Sequence, residues 1–169
     1  MKKIITIFGI LLSIFTLTFA GLYVLNNYIY NEKKGDIEYL DIKLYYYNPS
    51  LDQGVGGVQC TRKGLVAVNR SLPKTNTLLE DTISLLIGGE LTDEEKVSGL
   101  TTEFPLDGFS LLSSSFDESS VTLEFSDPLN KTVGGSCRVA ILWAQIDETA
   151  KQFDSIKLVK FFPEELFQP

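Results

Sequence analysis

Residues 4–25 read IITIFGILLSIFTLTFAGLYVL, twenty-two consecutive positions without a charge. A helix rises about 1.5 Å per residue, so this run would reach about 33 Å, against ~30 Å for the hydrocarbon core of a bilayer. The run sets apart a membrane-directed segment at 1–30, a charged linker at 31–38 and a single domain at 39–169. A cleavable signal peptide has a shorter apolar core followed by small residues at the cut. Thr18 and Ala20 offer a weak site of that kind, but apolar residues continue through Leu22 and Val24. The expectation is an uncleaved single-pass anchor, with Tyr23, Tyr28 and Tyr30 as an interfacial aromatic belt. Lys2 and Lys3 sit closer to the run than Lys33 and Lys34, which favours an extracytoplasmic domain.

Charge and residue types then narrow the function. Lys2, Lys3, Lys33 and Lys34 are four of the 15 basic residues, and Glu32 is one of the 22 acidic ones. Residues 35–169 therefore carry 11 basic and 21 acidic groups, a net charge of −10. Nucleic acid requires phosphate neutralisation by Lys and Arg, so no nucleic-acid partner is expected. The chain has no histidine. That removes the commonest general base and zinc ligand and every triad built on imidazole. No metal, cofactor or catalytic residue is expected, and the chain reads as a non-enzyme.

Two cysteines, Cys60 and Cys137, give the even count that one structural disulfide needs. Such a bridge persists outside the cytoplasm, where closing a loop of this length stabilises by ~4 kcal/mol in the chain-entropy model. Two separately buried thiols are the other reading.

The domain begins with alternation in DIKLYYYN, which places Ile42, Leu44 and Tyr46 on one face of a strand at 41–48. A flexible loop containing Gly54, Gly56 and Gly57 leads to a second strand at 64–70, closing a long-looped hairpin. Thr77 and Glu80 match a capping box, opening a helix that Gly88-Gly89 stops. Thr92 and Glu95 match a second box, with Gly99 ending the turn or two that follow. Strands at 109–115 and 121–125 flank the turn at 117–120, and Ser136 caps a helix over 137–153. Its expected buried stripe is Val139, Trp143, Ile146, Ala150 and Phe153. A last strand at 156–162 precedes the tail PEELFQP. The fold class is α+β, in the order β-β-α-β-β-α-β, with two amphipathic helices on one face of a small mixed sheet.

Several of these segments carry a resemblance. LLIGGELTDEE (85–95), GLTTEFP (99–105), VTLEFS (121–126) and QIDETAKQFDSIKLVKF (145–161) resemble the GerMN domain of sporulation and spore-germination proteins. The last segment follows a family pattern of the form "Qi..T..qf..v..v.i". The resemblance implies an extracytoplasmic module, often tethered, with a fold similar to ring-building motif domains and no catalytic residues to carry across.

The sharpest local feature is Gly134-Gly135-Ser136-Cys137-Arg138. Free amides at a helix start attract anions, so Gly134, Gly135, Ser136 and Arg138 are candidate anion- or ligand-binding positions. The same turn lowers a thiol pKa, leaving open a hydrolase or thiol enzyme built on Ser136 or Cys137. A binder of small ligands or cell-wall polymer is a third reading. Asp93-Glu94-Glu95 reads as acids favouring a helix dipole, Asp147-Glu148 as a solvated helix face, and Arg62-Lys63 and Arg70-Lys74 as solvated strand ends. The leading expectation is an interaction or assembly module of the cell envelope, whose partners are envelope proteins or further copies of itself.

Overall fold

The computed structural model describes residues 15–26 and 37–168. Contacts divide the chain into two units, Met1–Glu38 and Tyr39–Pro169. In the first, residues 15–26 are helical (α1). Among the described residues no helix is long and apolar enough to cross a membrane. Most of the span expected over 4–25, Tyr28 and Tyr30, and the linker through residue 36 lie outside the described residues.

The second unit opens with β1 (Tyr39–Tyr47), which pairs antiparallel with β4 (Leu65–Pro73) from Tyr39↔Pro73 to Tyr47↔Leu65. Ile42, Leu44 and Tyr46 are buried, as the alternation requires, while Tyr39, Asp41 and Lys43 are exposed. The strand ends before Pro49 because Asn48 caps a 3-10 turn, its side chain accepting from the Ser50 amide at 3.0 Å. The loop expected to be flexible contains a small hairpin, β2 (Gln53–Gly54) with β3 (Gly57–Val58). Gly56 and Gly57 make its turn at φ of +96° and +107°, a region side chains avoid.

Helix α2 (Leu78–Ile87) buries Leu79, Thr82, Ile83, Leu86 and Ile87. The capping box expected at its start does not form. Glu80 instead accepts from the Ser114 hydroxyl at 2.6 Å, so a tertiary bond displaces the local one. Gly88 caps the far end, and Gly89 follows at φ +71°, where a Cβ would also run into the Phe104 carbonyl. Helix α3 (Asp93–Val97) has its capping box complete, with Thr92 and Glu95 exchanging bonds of 2.9 and 3.2 Å.

Strands β5 (Ser110–Asp117) and β6 (Ser120–Ser126) form an antiparallel hairpin, and β7 (Leu158–Phe162) adds in parallel to β6. Helix α4 (Ser136–Lys151) supplies the crossover. The α+β class and the mixed sheet are as the sequence implies, but the main strands form two ladders, β1-β4 and β5-β6-β7. The reason lies on the outward edge of β1. Gln152 bonds both the Lys43 amide and its carbonyl at 2.7 Å. Thr149 Oγ1 accepts from the Tyr45 amide at 3.1 Å, and Gln145 Nε2 donates to the Tyr45 carbonyl at 3.3 Å. Thr101 exchanges backbone bonds of 3.2 and 2.7 Å with Tyr47. A helix thus occupies the edge to which another strand would add.

The core runs from Leu44 and Tyr46 through Ile83 and Leu86 to Val121, Leu123 and Ile146. The buried face of α4 departs from the expected stripe: Leu142, Gln145, Asp147 and Thr149 are buried, whereas Trp143 and Phe153 are only partly so. The helix also stops at Lys151, two residues early. The tail packs inward, with Phe167 edge-on to Phe109 and Phe161 at centroid distances of 6.0 and 5.2 Å.

Thr149→Val keeps the side-chain shape and leaves the Tyr45 amide without its acceptor. It should lower unfolding free energy by about 1–3 kcal/mol, read as a shift in urea midpoint with little change in slope.

Candidate functional site

The loop from Asn48 to Gly64 is fastened to α4 at several points. Cys60 is joined to Cys137 at a Cα–Cα distance of 5.2 Å. Two residues on, Arg62 donates to Asp147 at 2.6 Å and pairs with Glu148, while its guanidinium lies 4.8 Å from the Trp143 ring centre. Lys151 reaches the same Asp147 oxygen at 2.9 Å. Asp147 is 1 % exposed, so its charge is compensated inside the protein by two cations. The sequence reading of Asp147 as part of a solvated face is therefore corrected, while Arg62 stays exposed and Glu148 partly so. Periodicity placed those acids opposite the apolar stripe, but the long loop folds back over that face.

Asp52 organises the same loop from within. It accepts from the Tyr47 hydroxyl at 2.6 Å and from the Thr61 amide and hydroxyl at 2.5 and 2.7 Å. The Tyr47 bond, with those from Thr61, holds its carboxyl below the ordinary range. Burial, aided by Asp52, pushes Tyr47 up to about 12. Arg70, expected at a solvated strand end, instead clasps Glu95 through two bonds of 2.7 and 2.8 Å and keeps that carboxyl low.

The glycine-rich turn is arranged for structure. Gly134 has φ +154°, and Gly135, not Ser136, is the N-cap of α4. Glycine offers no side chain to cap with, so Ser136 falls inside the first turn. Gly134, Gly135, Ser136 and Cys137 are all exposed. Arg138, the expected anion ligand, donates to Glu103 at 2.5 Å and to the Val133 carbonyl at 2.7 Å. The turn brings Cys137 to Cys60 but leaves Arg138 engaged by an acid. Among the described residues no group of three or more Cys, Asp or Glu is placed to hold a metal.

Sequence reasoning missed a cleft beside the start of α2. Its volume is about 230 Å³, with Phe116 and Phe153 as walls, Leu78, Leu79 and Ile156 within, and Glu80 at its side. Glu80 matched a capping box, and no local signal joins residue 80 to residues 116 and 153.

The fold and this geometry frame the comparisons with known proteins. The Germane family, described as sporulation and spore germination, matches residues 43–164. The chain belongs to the Germane family. Two solved structures resemble this Germane chain. One is the tandem GerMN domains of the sporulation protein GerM from Bacillus subtilis, with 19 % identity, a TM-score of 0.53, and coverage of 78 % of this chain and 42 % of that one. The other is the first GerMN domain of the same protein, with 16 % identity, a TM-score of 0.49, and coverage of 75 % and 86 %. At such identities the likeness to the tandem structure is one of fold, and this chain spans less than half of it. No curated protein matches the chain.

Gln145, Thr149 and Gln152 of this chain are the side chains that occupy the edge of β1.

The titrating groups set a stability window. Asp52 and Glu95 have lowered folded values, so their contribution is present above the ordinary carboxylate range and is lost as pH falls through their folded values. Tyr46 and Tyr47 are raised by burial to about 12, so theirs is present below the ordinary tyrosine value and is lost as pH rises toward 12. The urea midpoint should form a plateau that declines below about pH 4 and above about pH 10. Glu95→Gln should lower the plateau and flatten the acid limb; Tyr47→Phe should flatten the alkaline one.

Proposed function

We propose that this Germane-family chain is a membrane-anchored, extracytoplasmic, non-catalytic interaction or assembly module of the cell envelope, serving sporulation or germination. The uncharged run at 4–25 supplies an anchor of bilayer length. Family membership supplies the process. The domain then meets envelope proteins or further copies of itself.

One observation carries the non-catalytic part. The thiol and the charged groups near the glycine-rich turn and α4 are committed to structure: Cys137 to Cys60, Arg138 to Glu103, and Asp147 to Arg62 and Lys151. A thiol nucleophile needs a free thiolate, and an oxidised Cys137 has none. The pairing also belongs to an oxidising compartment, which supports the extracytoplasmic placement of the domain.

Alkylation with iodoacetamide on intact cells separates this reading from a thiol enzyme built on Cys137. Neither Cys60 nor Cys137 should label until a reductant is added. The chain should stay with the membrane through carbonate washing, and protease added to protoplasts should degrade the domain. Labelling of Cys137 without reductant, or recovery of the chain in the soluble cytoplasmic fraction, would overturn the reading.

A further inference from the structure

The cleft at the start of α2 combines an apolar lining with a partly buried acid that no cation meets among the described residues. Several carboxylates that tie one element to another meet cations: Glu95 meets Arg70, Glu103 meets Arg138, and Asp147 and Glu148 meet Arg62, whereas Glu124 accepts from the Ser113 hydroxyl across the β5-β6 hairpin. Buried Asp52 and turn-forming Asp127 accept backbone amides instead. Glu80 has neither. It is partly buried, its one bond comes from the Ser114 hydroxyl, and among the described residues no cation pairs with it. Its neighbour Asp81 is likewise met by hydroxyls, those of Thr75 and Thr77. Among the described residues Glu80, which lines the recess, therefore stands without a counter-charge, and so does Asp81 next to it in sequence.

The walls have their own character. Phe116 is 59 % exposed at the end of β5, although it stands opposite buried Val121 in the ladder. Phe153 lies just beyond α4 and is partly buried. A phenyl face carries partial negative charge and attracts a cation, and nearby carboxylates add to the attraction. The recess of about 230 Å³ is smaller than the roughly 300–1,000 Å³ of small-molecule sites, so it suits one long side chain.

We propose that the cleft between Phe116, Phe153 and Glu80 receives a lysine or arginine side chain from a partner polypeptide. The aliphatic stem lies along Leu78 and Ile156, and the charged head reaches Glu80 with the aromatic faces beside it. Charge complementarity selects this occupant: the carboxylates attract a cation and repel an acidic peptide, and a neutral sugar would leave Glu80 without a counter-charge. Basic side chains on aromatic-walled pockets are common anchors of protein interfaces. The inference deepens the interaction-module reading and rests on it for the existence of a partner, although binding itself needs neither membrane nor host.

The test is nuclear magnetic resonance on the isotopically labelled full chain in mild detergent. It is titrated with a short, otherwise neutral peptide bearing one central lysine or arginine. Shifts should centre on residues 78–80, 116 and 153 and weaken as salt rises. Replacing the central residue by norleucine should weaken binding about tenfold, the loss of one charge-assisted bond. Glu80→Gln, which keeps an acceptor for Ser114, should cause a similar loss with the thermal transition unchanged. Phe116→Ala alters an exposed ring and should weaken binding several-fold. Equal binding of the norleucine peptide, shifts scattered over the acidic surface and insensitive to Glu80→Gln, or stronger binding by a chitooligosaccharide would each overturn the proposal. None of these results bears on membrane anchoring or on the state of Cys137, so the two readings fail separately.

Discussion

The architecture turns on how the outward edge of β1 is closed. A strand that pairs on one side only leaves a row of amides and carbonyls in need of partners, and burying them unpaired costs about 1–3 kcal/mol each. Here the partners are side chains of one helix and its C-cap. Gln145, Thr149 and Gln152 are spaced four and three residues apart; the first two meet Tyr45 and the third meets Lys43. Thr101 continues the row at Tyr47. This arrangement fixes the register of α4 against β1, and α4 in turn delivers the chain to β7.

Legibility followed from which interactions are local. The apolar faces of β1 and β6 were readable because Ile42, Leu44, Tyr46, Val121, Leu123 and Phe125 alternate along their own strands, and all are buried. The two Thr-x-x-Glu matches show the limit. At Thr92 and Glu95 the box forms, and Arg70 approaches the same carboxylate without displacing it. At Thr77 and Glu80 the pattern is present but the glutamate turns to Ser114, thirty-four residues away in sequence. Helical periodicity likewise found Val139, Ile146 and Ala150 but left Gln145 and Thr149 out of the buried stripe and assigned Asp147 to solvent, because it counts apolar residues. The second face of α4 is covered by a loop and a strand edge, and what covers a polar face is written far away in the chain.

Electrostatics in this acidic domain follow a consistent division. Its three arginines are used one by one to join distant elements: Arg62 ties the loop to α4, Arg70 ties β4 to α3, and Arg138 ties α4 to the segment holding Glu103. A planar guanidinium suits this task, since it can hold a carboxylate with two parallel bonds, as Arg70 does with Glu95. Arg62 does more, because it also covers Trp143, whose ring would otherwise lie open beside the loop. The tryptophan is therefore part of the fastening between loop and helix, which explains why it stands at the rim of the core.

These fastenings are unevenly placed along the β1-β4 ladder. The Tyr47–Leu65 end carries the disulfide loop, Asp52 with its three donors, and the Arg62 cluster. The Tyr39–Pro73 end carries none of these, and the chain leaves it within two residues for Thr75 and the aromatic cleft. Adaptation to a partner costs least where few contacts must be broken, and most where covalent and ionic ties converge. The glycine-rich turn, conspicuous in sequence, sits at the tied end. The cleft, silent in sequence, is lined in part by Glu80, which among the described residues only the Ser114 hydroxyl meets. The ties that fasten the loop to α4 are gathered at one end of a nine-residue hairpin arm.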